Sequence, residues 1–124
     1  MEIKTKLPKL VRDKVPEHIV KDDLVPVFHF ATEEEYLAML QKKLREEIEE
    51  FMDPAHFQEF MKGDYSELGD VLDVIDCLIR AGTGQAAHVG SPEVAIHRQE
   101  KAVMKGKFEK QIVLENIVDR REIK

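Results

Sequence analysis

The sequence predicts an all-α fold, and three features carry that expectation. Two long segments, Thr32 to Met52 and Asp64 to Ala81, repeat apolar residues at helical spacing, each opens on a capping residue, and proline or glycine closes each one. The expected architecture is an antiparallel helix hairpin plus a third helix, with short extended segments near both termini. At 124 residues and 43% hydrophobic content, the chain reads as a single domain, residues 1–124, with a modest core.

Residues 1–31 read as an irregular lead-in, because Pro8, Pro16 and Pro26 interrupt any long helix. Pro16 can still open a short helix through Lys21. Val25 to Phe30 favours extended structure, and Pro26 restricts it to an edge strand or an unpaired segment. Thr32-Glu-Glu-Glu35 has the form of a capping box, with acids at the positive end of the helix dipole. Asp53-Pro54 ends that helix, and Ala55 to Lys62 forms a short link carrying Phe57, Phe60 and Met61.

Asp64-x-x-Glu67 repeats the capping pattern, and Gly82 marks the end of the second long helix. Thr83 to Gly90 reads as a mobile Gly- and Ala-rich loop. Ser91-Pro92-Glu93 starts the third helix, with serine as its cap, and Gly106 stops it after Lys105. Ile112 to Leu114 is β-favouring, and a short strand beside Val25 to Phe30 is expected there.

Both long helices carry two carboxylates three residues apart. With about 100° of rotation per residue, Leu37, Leu40, Ile48 and Phe51 fall within about 40° of Leu44 and form an apolar seam. Glu47 lies about 60° and Glu50 about 120° to one side, while Glu46 and Glu49 point away. Around Ile75 the second seam gathers Leu68, Val71, Leu72, Leu78 and Ile79, with Glu67 about 80° and Asp70 about 140° to the same side. An approximate two-fold relates antiparallel helices and brings these flanks to one edge, so Glu47, Glu50, Glu67 and Asp70 should converge. Asp73 and Asp76 rotate away.

Four gathered carboxylates repel one another unless a cation lies among them. Ligation by oxygen alone selects a hard ion, Mg²⁺ or Mn²⁺. The competing reading is an ordinary solvated acidic surface in a chain that is 35% charged. No P-loop, GxSxG motif or cysteine and histidine metal spacing is present in the sequence.

Lys43-Leu-x-Glu46-Glu47-x-x-Glu50 followed by Glu67-Leu-Gly-Asp70-Val resembles the EExxE…ExxD signature of the MazG-like, all-α nucleoside triphosphate pyrophosphohydrolase superfamily. The opening Lys9-Leu-Val-Arg-Asp-Lys-Val-Pro16 and Lys101-x-x-x-Lys-Gly-Lys-Phe108 resemble its small house-cleaning, phosphoribosyl-ATP pyrophosphohydrolase-like branch. The resemblance implies metal-dependent hydrolysis of a nucleoside triphosphate between its α- and β-phosphates. It implies metal ligation by Glu47, Glu50, Glu67 and Asp70, and proton transfer by Glu46 or Glu47. Lys9, Arg12, Lys14, Lys101, Lys105 and Phe108 would bind substrate, with Asp13 orienting Arg12. Family members carry Gly-Gly-Phe where this chain has Gly106-Lys-Phe108, which alters the local backbone.

The same metal site could serve a nucleoside diphosphate or a phosphoribosyl nucleotide instead, and a helical interaction or regulatory protein without turnover stays open as a further alternative. A net charge of −6 argues against a nucleic-acid polymer as partner. Cys77, the only cysteine, permits no intrachain disulfide, and with no apolar run of membrane-spanning length a cytoplasmic protein is expected. Apolar flanks around Tyr36, Met39 and Val74 suggest self-association as a homodimer or larger oligomer.

Overall fold

The structure, a computed structural model, describes residues 7–123. The first six residues of the expected lead-in and Lys124 lie outside them. The chain divides into two compact units with the boundary between Ser91 and Pro92. Five α-helices and no strand occur among the described residues: α1 (Val15–Lys21), α2 (Glu33–Met52), α3 (Pro54–Met61), α4 (Ser66–Thr83) and α5 (Pro92–Lys105).

The first unit is built on α2 against α4, with α3 bridging them. Antiparallel packing follows from the contacts. Leu37 near the start of α2 meets Gly82 near the end of α4, where a Cβ on Gly82 would lie 3.9 Å from Leu37 Cδ2. At the opposite end, the carboxylates of Glu47 and Glu50 approach Glu67. Between the long helices α3 folds as a third piece of the connection, with Pro54 at its first position and its cap, Asp53, accepting from the His56 N–H.

Local chemistry sets the helix ends. Thr32 Oγ1 accepts from the Glu35 N–H at 3.2 Å, as expected for α2. Glu35 makes no reciprocal bond; its carboxylate pairs with His29 Nε2 at 2.7 Å. At α4 the second expected capping box is absent. Asp64 Oδ1 takes the backbone N–H and the hydroxyl of Ser66, at 3.0 and 2.7 Å, in a local turn that leaves Glu67 uncommitted. The same helix runs past Gly82 to Thr83 and closes on Gly84, whose φ of 72° is the left-handed conformation that glycine adopts without strain.

The helical seam is rotated relative to the expected one. Leu40 at 2% exposure and Val71 at 8% form the core between the helices. Both lie about 40° from the centre of their stripe on the side of the acids. Ile48 and Leu72, on the other side, are exposed at 44% and 38%. The rotation carries Glu47 inside the seam, seven residues and two turns from Leu40. Tyr36, Met39 and Val74, expected to be exposed flanks, are half-buried. Tyr36 turns towards Cys77 of α4, and its burial followed by the hydrogen bond with the thiol pushes its phenol above the usual range.

The Thr83–Gly90 segment, expected to be a mobile loop, is docked. Ala87 and Ser91 are only 4% and 5% exposed. Asp76 Oδ1 accepts from the Val89 N–H at 2.8 Å, and Ser91 Oγ accepts from the His88 N–H at 2.8 Å. Composition alone misses this, because the anchor is a carboxylate thirteen residues earlier in the chain.

In the second unit α5 is followed by irregular chain and a short 3₁₀ turn, Arg120–Glu122. Neither expected strand forms: Val25 to Phe30 and Ile112 to Leu114 have no regular secondary structure. A strand needs a partner for its backbone groups, and β propensity alone does not supply one.

Replacing Asp76 with alanine should release the Val89 amide. Its hydrogen exchange should quicken about tenfold or more, as expected for loss of a bond to a charged acceptor. Unchanged exchange would show that the loop is held by other contacts.

Candidate metal centre

Three of the expected acids come together. One carboxylate oxygen from each of Glu47, Glu50 and Glu67 lies within 4.8 Å of the others. Glu47 is buried, Glu67 half-buried and Glu50 exposed, so the cluster opens to solvent on one side and to the seam on the other. The helix pair accounts for this. Glu47 and Glu50 sit three residues apart on α2, and the antiparallel partner brings the first turn of α4 alongside them.

Burial makes the arrangement costly. Glu47 is 6% exposed, and its Oε1 lies 3.3 Å from Lys43 Nζ, one turn back on α2. Its Oε2 is buried without a hydrogen-bond partner, and so is Glu67 Oε2. A carboxylate oxygen in that position has lost water and gained nothing in return. The Glu47 carboxyl accordingly titrates above the usual range. Loss of solvent contributes most and the charge of Glu50 next, against the opposing charge of Lys43.

Asp70 is placed differently. Its Oδ1 receives Arg12 Nη2 at 2.7 Å, and the same nitrogen reaches Asp73 Oδ2 at 3.0 Å. Arg12 therefore pins the N-terminal segment onto α4, and its orienting carboxylates are Asp70 and Asp73, where Asp13 was expected. The negative charge of Asp70 still adds to the upward push on Glu47. Glu46 is half-buried on α2, outside the group of three.

The remaining expected residues are distributed along the chain. Lys9 is half-buried and Lys14 exposed, on the segment that carries Arg12. Lys101 and Lys105 stand exposed on α5 of the second unit, and Phe108 follows it at 99% exposure. The phenylalanines of the α2–α3 connection pack on one another. Phe51 stacks on Phe57 at 5.8 Å and meets Phe60 edge-on at 4.8 Å, and Tyr65 extends the group at 5.8 Å from Phe60.

Two side chains at the cluster lie outside the sequence-level set. Lys43 was legible as an i, i+4 partner of Glu47. His56 was not, because its ring reaches the cluster through the turn at Asp53-Pro54, a geometry that no spacing rule describes. Its Nδ1 lies 3.0 Å from the Glu50 carbonyl oxygen and its Nε2 3.9 Å from Glu67 Oε1.

The donor set suits a hard divalent cation in part. Three carboxylates with two orphaned oxygens are what such an ion would satisfy, and an open side leaves room for further ligands. No protein-family model matches the sequence, and no curated protein or solved structure is significantly similar to it.

The raised Glu47 carboxyl links stability to pH. The folded chain keeps this proton at pH values where the unfolded chain has released it, so the stabilisation is complete below the unfolded value and is lost as pH rises through the folded one. In divalent-free buffer, denaturation midpoints should therefore decline as pH rises above the ordinary glutamate range, and Glu47→Gln should flatten that decline. An identical slope in the variant would place the ionisation elsewhere.

Proposed function

We propose that this protein is a nucleoside triphosphate pyrophosphohydrolase whose Glu47, Glu50 and Glu67 hold Mg²⁺ or Mn²⁺. The observation that carries the cation is the pair of buried, unpartnered oxygens, Glu47 Oε2 and Glu67 Oε2, in a cluster of three acids. Support for the reaction comes from the ordered resemblance of Glu46-Glu47-x-x-Glu50 and Glu67-x-x-Asp70 to the MazG-like signature.

When bound, the ion would neutralise phosphate oxygens and lower the pKa of a coordinated water. The chain's own groups do the rest. Glu46, outside the triad, or Glu47 accepts the proton of the attacking water. Arg12 offers a planar guanidinium fork suited to phosphate oxygens, and Asp70 and Asp73 hold it in place. Lys9 and Lys14 add positive charge on the same segment. Asp70 is the fourth acid of the signature, and it serves either the cation or Arg12. Because the triad is preassembled and Glu50 is solvent-exposed, substrate can approach without disturbing Leu40 and Val71.

Self-association belongs to the same proposal. Ile48 and Met52 on α2 and Leu72 on α4 are exposed apolar groups on the helices that build the core, and a second copy of the chain would cover them. Light scattering at micromolar concentration should give at least a dimer, and a monomer would contradict this part of the reading.

Incubated with a panel of nucleoside triphosphates and Mg²⁺ or Mn²⁺, the protein should release pyrophosphate and the monophosphate. Glu50→Gln should abolish release while leaving the helical circular dichroism unchanged, since Glu50 is exposed. Orthophosphate as the product, or full activity in the variant, would overturn the assignment.

A further inference from the structure

His56 plays no part in the sequence motif, yet its ring is held in a defined place beside the acids. It stands in the first turn of α3, and its Nδ1 lies 3.0 Å from the backbone carbonyl oxygen of Glu50. A carbonyl oxygen only accepts, so Nδ1 is the nitrogen that carries hydrogen. In the neutral ring Nε2 is then a lone-pair donor, 3.9 Å from Glu67 Oε1. Two lone-pair atoms facing each other across that gap repel unless a hydrogen donor or a cation lies between them, and a cation also answers the unpartnered oxygens of the neighbouring acids.

The gap has the size of a shared ion. Imidazole nitrogen and carboxylate oxygen each bind divalent transition ions at about 2.0–2.2 Å, so two donors to one ion stand at most about 4.4 Å apart. A ring whose other nitrogen is tied to a backbone carbonyl is also how metal-binding histidines are generally oriented. Asp53 Oδ2, 3.7 Å from Nδ1, adds negative charge behind the ring. The acids supply a second, independent sign. Glu47 is 6% exposed with Oε2 unpartnered, and Glu67 has Oε1 towards His56 while its Oε2 is buried without a partner.

We infer that His56 Nε2 and Glu67 Oε1 ligate a borderline divalent ion such as Mn²⁺, Co²⁺ or Zn²⁺, with Glu67 shared between this position and the Glu47–Glu50 pair. The inference rests on the cluster being a cation site, and it goes beyond that reading by adding a nitrogen donor to the oxygens. Nitrogen ligation favours these ions over Mg²⁺, which prefers oxygen and water. His56 is half exposed, so the ion reaches it from solvent.

The test uses the full chain, wild type and the His56→Gln and His56→Ala variants, with circular dichroism to establish that each folds. Mn²⁺ is the probe, and pulsed electron paramagnetic resonance reads directly bound ¹⁴N. Wild type should show nitrogen coupling, and both variants should lose it. Their Mn²⁺ affinity should fall about tenfold or more, with Mg²⁺ affinity nearly unchanged. Mn²⁺ bound without nitrogen coupling, or coupling that persists in the variants, would overturn the role of His56 and leave the carboxylate site standing. A wild-type protein that binds no Mn²⁺ would overturn both.

Discussion

A carboxylate inside an apolar helix seam governs this structure. Glu47 occupies a place that periodicity would give to leucine, two turns from Leu40, and it is buried nearly as deeply. Moving an ionised carboxylate out of water costs several kcal/mol unless other groups replace the lost solvation. Lys43 replaces part of it at 3.3 Å, and Glu50 worsens it from the next turn. The remainder is stored as a carboxyl that holds its proton too tightly and an oxygen without a partner. A fold selected for stability alone would place an apolar side chain at this position; a divalent cation bound there would remove the conflict.

The surroundings fit that interpretation residue by residue. Asp64 satisfies Ser66, which leaves Glu67 free to turn inward when it would otherwise close a capping box. Arg12 engages Asp70 and Asp73, which reduces the acidic charge along α4 and fixes the basic N-terminal segment beside it. Asp76, the next acid in the run, anchors the loop through Val89. One helix thus carries four acids at spacing three with three separate tasks: the cluster, the guanidinium clamp and the loop anchor.

Much of the fold was legible because helix patterning is local. Thr32, Asp53-Pro54 and the apolar spacing of α2 and α4 each act within one or two turns, so the helices, their antiparallel pairing and the meeting of Glu47, Glu50 and Glu67 could be read from order and pitch. What escaped depends on contacts distant in sequence. The seam's rotation towards the acids leaves Ile48 and Leu72 exposed, and only the fit of two surfaces decides that. The docked loop depends on Asp76, the placing of Asp70 depends on Arg12 fifty-eight residues away, and His56 depends on the angle at which α3 leaves α2. The strands expected at Val25 to Phe30 and Ile112 to Leu114 fail for a related reason, since propensity names a conformation without providing the neighbour it requires.

The central claim is that the acids at the end of the α2–α4 seam exist to hold a divalent ion. Anomalous diffraction from crystals grown with Mn²⁺ addresses it most directly. The account predicts a peak among Glu47, Glu50 and Glu67, at about 2.0–2.3 Å from their oxygens. Ordered Mn²⁺ elsewhere on the protein with no peak between these three side chains would contradict it.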